Sequence, residues 1–142
     1  MKKYVFTLAI ILVLVFTGMQ SANAQISITV NLGSGCGDTC TTQQICAYEV
    51  TYEMYYICDH HQDLLCSGND TISCSYLEVV FPCNYECHDH TSEKCYLISA
   101  TATKYCIGPP NGYLVKCTGR VNETFSCDEI MQGAEVYIVW DN

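Results

Sequence analysis

The chain has 142 residues, 12 of them cysteine, and carries 15 acidic side chains against 6 basic ones, a net charge of −9. That length suits one domain, and the acidic balance argues against nucleic acid and anionic membrane surfaces, which are bound through Lys and Arg. Twelve thiols without a metal-finger spacing argue against a reducing compartment and for a small extracellular disulfide scaffold.

The chain opens with Lys2 and Lys3, followed by an apolar run from Val5 to Phe16 broken only by Thr7. Ala22-Asn23-Ala24 then places small residues where a signal peptidase reads. The run is shorter than the ~20 apolar residues that span a bilayer. Residues 1–24 are therefore expected to be a cleaved signal peptide, and 25–142 a single disulfide-rich domain, secreted and extracellular. Removing 24 of the 142 residues leaves 118, keeps all 12 cysteines and takes the charge from −9 to −11, because Lys2 and Lys3 go too. No later stretch approaches membrane length, so no membrane insertion is expected.

Period-two patterning dominates the remainder of the chain. In Ile26-Ser27-Ile28-Thr29-Val30, apolar residues alternate with hydroxyls. From Cys46 to Cys58, Tyr48, Val50, Tyr52, Met54 and Tyr56 share one face, and Glu49, Thr51, Glu53 and Tyr55 lie on the other. Cys46 and Cys58 have the parity of the apolar face and are expected to point inward. A next strand is read over Ser75 to Cys83, with Leu77, Val79, Phe81 and Cys83 inward. The segment Cys106 to Tyr113 contains Pro109-Pro110-Asn111-Gly112, which reads as strand, turn and returning strand. Further on, Val121, Phe125 and Cys127 face one way, and Asn122, Thr124 and Ser126 face water. Asp128 to Gly133 is the one helical turn. Val136, Ile138 and Trp140 line a last strand. The expected fold is all-β, mainly antiparallel, with about seven strands arranged as a sandwich or barrel.

Cys36, Cys40, Cys46, Cys58, Cys66, Cys74, Cys83, Cys87, Cys95, Cys106, Cys117 and Cys127 are expected to form about six disulfides, with a pairing the sequence leaves open. Two Cys-x7-Cys loops, 58–66 and 87–95, follow similar Cys-x-Tyr strand starts at Cys46 and Cys74. A duplication would give the two segments equivalent pairings. All four histidines, His60, His61, His88 and His90, fall in these loops among Asp59, Asp63, Glu86 and Asp89. Convergence of the loops would offer imidazoles to Zn or Cu; two polar, solvated loops are the simpler expectation.

Cys58, His61 and Asp63 resemble the histidine–aspartate motif of secreted phospholipases A2. That family sets His beside Asp on a long helix with a calcium loop, whereas here Gln62 intervenes in strand and loop, so the activity is not carried over. No nucleophile elbow, HExxH or paired-carboxylate pattern is present, and an enzyme is not expected. Asn69-Asp70-Thr71 and Asn122-Glu123-Thr124 are N-glycosylation sequons.

These features suggest a secreted, non-enzymatic glycoprotein that acts by binding in an extracellular matrix, a biomineral or skeletal one included, or in a body fluid. Its partner would be an extracellular protein, a glycan, or a cationic or mineral surface. A secreted toxin or defence effector is the alternative; the scattered basic residues weigh against it. A metal-dependent enzyme built on the histidine loops ranks third.

Overall fold

A computed structural model describes residues 25–37, 39–87, 92–109 and 112–141. The expected signal peptide lies outside the described residues. The rest is mostly antiparallel β structure, with two sheets packed as a sandwich and no closed barrel.

The strands are β1 (Ile26–Asn31), β2 (Ile45–Tyr56), β3 (Asp63–Ser73), β4 (Glu78–Cys83), β5 (Tyr96–Gly108), β6 (Gly112–Phe125), β7 (Ala134–Tyr137) and β8 (Val139–Trp140). A short helix, α1 (Cys127–Met131), precedes β7. One sheet has the order β4-β1-β7, and the other β3-β2-β5-β6-β8. All neighbours are antiparallel except β1 and β7, which run parallel.

Alternation decides which side chains meet between the sheets, because successive strand residues face opposite ways. From the larger sheet come Tyr48, Val50, Tyr52, Met54, Ile98, Ala100 and Ala102, all buried. From the smaller sheet come Ile26, Ile28, Val30, Val79, Phe81, Ala134 and Val136, buried too. The Tyr52 and Phe81 rings pack 4.7 Å apart across the interface. Burying a side chain of this size is worth roughly 1.5–3 kcal/mol.

The expected β1, β2 and β5–β6 hairpin are present, and so is the helical turn. Ser126 caps α1: its hydroxyl accepts from the Glu129 backbone N–H, and the Glu129 carboxylate accepts from the Ser126 N–H at 2.7 Å. This reciprocal capping satisfies two backbone donors left open at the helix start. Ser126 is therefore buried as a cap and does not face water, and Cys127 lies in the helix and not in the strand.

Three segments depart from the sequence reading. β3 begins in the loop read over 58–66 and continues through 67–73, where no strand is expected. The positions opposite buried Tyr52 and Val50 are Gly68 and an exposed Asp70, so the strand lacks apolar alternation. A Cβ at Gly68 would press on the Tyr52 and Phe81 rings; the small residue makes room for large ones opposite. β4 starts at Glu78, because a turn closed by Tyr76 N–H to Ser73 carbonyl takes up 73–76, and Leu77 is half exposed. The last strand is divided. β7 pairs with β1, the Ile138 N–H donates to the Asn31 carbonyl at 2.9 Å, and β8 then pairs with β6 in the other sheet. Gly119 permits this crossing, since a Cβ there would collide with Ile138 and press on Trp140.

All twelve cysteines pair: 36–117, 40–106, 46–74, 58–95, 66–83 and 87–127. The pairing is not that of a duplication. Cys58 bonds to Cys95, while their counterparts Cys87 and Cys66 bond to Cys127 and Cys83. Residues 46–56 lie in a strand, whereas 74–77 lie outside any strand.

Candidate functional site

Cross-strand register sets the composition of the outward face of the five-stranded sheet. Directly opposed residues project to the same side. One row reads Asn69, Thr51, Thr101, Arg120 and Val139 across β3, β2, β5, β6 and β8. The next reads Ser67, Glu53, Ser99 and Asn122. The Thr51 and Thr101 hydroxyls hydrogen-bond at 2.6 Å. An open depression of about 570 Å³ lies here, lined by Thr51, Glu53, Ser67, Asn69, Ser99 and Thr101. A smaller hollow of about 300 Å³ continues it along Glu49, Asn69, Asp70 and Thr71. The trough offers hydroxyl, amide and carboxylate groups, which suits a ligand rich in hydroxyls.

Two tyrosine–glutamate pairs flank the trough. The Tyr55 hydroxyl donates to Glu53 at 2.6 Å, and the Tyr105 hydroxyl donates to Glu49 at 3.0 Å. The hydrogen bond to Glu53 raises the Tyr55 pKa above the ordinary phenol value, with desolvation adding to it. Hydrogen bonding to Tyr113, then desolvation, then Glu49 push Tyr105 further up. Both rings stay neutral hydrogen-bond donors at any physiological pH.

Beyond Tyr105 the face turns apolar. Ile45, Ile107 and Tyr113 stand opposite one another on β2, β5 and β6; Tyr105 and Val115 form the row beside them. Ile45 is 70% exposed, Tyr113 59%, Val115 52% and Ile107 38%. The Tyr105 and Tyr113 rings pack 4.4 Å apart. Sequence reasoning did not single this cluster out. Its signal was available in Ile45 and Ile107, which carry the outward parity of Glu49 and Thr101 and so are apolar on the wet side.

Of the four histidines, only His60 and His61 fall among the described residues. His60 and His61 are exposed in the turn between β2 and β3. Asp59 and His60 both have left-handed backbone, with φ of 60° and 61°, and His61 N–H donates to the Cys58 carbonyl. That is a type I′ hairpin turn built without its preferred Asn-Gly. His88 and His90 lie outside the described residues. Among the described residues, three metal-capable side chains converge at Cys58, Glu93 and Cys95. Cys58 and Cys95 are joined to each other, so neither offers a thiolate.

Asn69 and Asn122, the sequon asparagines, are both exposed and both project from the outward face of the five-stranded sheet. The cysteines serve as staples. Cys83, Cys87, Cys95, Cys106 and Cys127 are buried, and Cys36, Cys40, Cys46, Cys58, Cys66, Cys74 and Cys117 are half-buried.

No known protein family, curated protein or solved structure matches this chain. The six disulfides are those of a protein matured in an oxidising compartment. No helix among the described residues is long and apolar enough to cross a membrane.

Proposed function

We propose that this chain is a secreted, non-enzymatic component of an extracellular matrix or body fluid that binds another extracellular protein through the apolar end of its five-stranded sheet. The observation that carries this reading is the cluster of exposed Ile45, Ile107, Tyr113 and Val115 beside half-buried Tyr105 on one sheet face. Exposed apolar side chains scattered singly are ordinary; a clustered set with aromatic members is what protein contact surfaces use. Its tyrosines are held in place, Tyr105 by Glu49 and by the Tyr113 ring. Little side-chain entropy is then lost on binding. The disulfides keep the scaffold folded outside the cell, where no chaperone renews it.

The test is retention of the secreted protein on a matrix preparation or in a native fluid complex. Replacing Ile107→Asp and Val115→Asp together alters only outward-facing side chains. The expected result is a loss of retention of about tenfold or more, the order of one hot-spot contact, and an equal loss when the matrix is first treated with protease. Equal retention of wild type and variant, or survival of binding after proteolysis of the matrix, overturns the reading.

A further inference from the structure

We infer that Asn69 and Asn122 carry N-linked glycans that together cover the trough of the five-stranded sheet and guard its two open edges. The inference rests on passage through the secretory route, as the proposed function does, but not on the apolar cluster.

Three observations on the fold support it. First, the two sequons are 53 positions apart in sequence, yet both asparagines leave the same face of the same sheet. Asn69 is on β3 and Asn122 on β6, with β2 and β5 between them. Three strand spacings put them about 14 Å apart across the sheet, and one row of offset adds about 7 Å along it. Second, the trough lies between them. Asn69 forms one wall, and Asn122 stands directly opposite Ser99 on the other side. Its hydroxyl, amide and carboxylate groups match the hydrogen-bonding needs of sugar rings laid on the sheet.

Third, each asparagine sits where the sheet has an unpaired edge. β3 is the outermost strand on one side. On the other, β8 pairs with Gly119 and Arg120, and among the described residues β6 has no outer strand partner at Asn122. An exposed edge is a template for pairing with another chain, and proteins block such edges with charge, proline or a covering group. A glycan at each position supplies that cover, and the apolar cluster at the far end of the face is left bare.

The attachment itself is ordinary chemistry. The Asn amide nitrogen bonds to the anomeric carbon of a lipid-pyrophosphate-linked oligosaccharide. The carbon–oxygen bond to the pyrophosphate breaks, the amide proton is released, and the lipid pyrophosphate leaves. Thr71 and Thr124 complete the two sequons.

The experiment uses the full chain secreted from eukaryotic cells. Mass spectrometry of wild type, Asn69→Gln and Asn122→Gln is expected to show two glycans, one and one. Carboxyl footprinting is then compared before and after enzymatic removal of the glycans. Labelling of Glu53, in the trough, is expected to rise several-fold on removal, while Glu78, on the outward face of the other sheet, stays constant. Either sequon remaining unoccupied in the secreted protein overturns the inference. So does full occupancy with unchanged Glu53 labelling, since the sugars would then extend into solvent. Occupancy is read independently of matrix retention, so failure here leaves the apolar-cluster variants to stand or fall by themselves.

Discussion

The middle of the sandwich and its loop-capped end are closed by different means. In the middle, two sheets face each other, and Val50, Tyr52, Met54, Ile28, Val30 and Ile98 fill the space between them. One strand-to-strand bridge, Cys66–Cys83, joins the sheets there. At the end formed by the start of β2, the end of β5 and the start of β6, the inward positions include Cys46, Lys104, Cys106, Leu114 and Cys117. The segments 32–37 and 39–44 cover this end in place of a strand, held by Cys36–Cys117 and Cys40–Cys106, with Cys46–Cys74 beside them. Buried Lys104 donates to the Cys36 carbonyl at 3.3 Å, and the Trp140 indole donates to the Leu32 carbonyl at 3.0 Å. Apolar alternation closes a structure where two regular faces meet. An irregular loop has no such periodic face, and covalent bonds take over.

The largest expected effect breaks the middle. Ile98 is fully buried, and Ile98→Ala is expected to cost about 2–5 kcal/mol in denaturant unfolding with all bridges intact. A loss below ~1 kcal/mol would mean that the staples, and not the packing, hold the two sheets together.

Next in size is removal of one staple from the loop-capped end. Cys40→Ala with Cys106→Ala is expected to cost about 2–4 kcal/mol. Hydrogen exchange should rise in residues 32–44 while the amides of β1 and the middle of β2 stay protected. Uniform deprotection of both regions would erase the distinction between them.

The smallest effect belongs to the opposite end, where α1 presents Cys127 to Cys87. Ser126→Ala removes the cap and is expected to cost about 1 kcal/mol. The backbone N–H of Ser126 holds the Glu129 carboxyl below its ordinary pKa, with Lys94, 3.6 Å away, helping. A carboxyl lowered in the folded state stabilises the fold above its ordinary pKa, and this is lost as pH falls through the lowered value. Acid titration of Glu129→Gln should therefore show a shallower loss of stability below the ordinary carboxylate range than wild type. Identical acid limbs would assign the cap to the Ser126 hydroxyl alone.

Much of the fold can be read in local pattern. Tyr48, Val50, Tyr52 and Met54 announce a half-buried strand by parity alone. Pro109 through Gly112 announces the hairpin, whereas strand parity puts Ser126 on the wet face and hides its capping of α1. β3 stays hidden because an edge strand opposite Tyr52 and Val50 accepts Gly68 and Asp70, and neither gives periodicity. The divided last strand stays hidden because Val136, Ile138 and Trp140 keep one parity while changing sheets. The outward apolar cluster is assembled from three strands, none of which carries it alone.

The class of scaffold, the acidic surface and most of the strands are legible in the bare sequence, since composition and alternation act on neighbouring residues. Three outcomes belong to the tertiary structure: which cysteine meets which, that a stapled loop stands in for a strand, and that Asn69 and Asn122 share a face. They depend on strand order and register, which bring together residues tens of positions apart and leave no mark on local pattern.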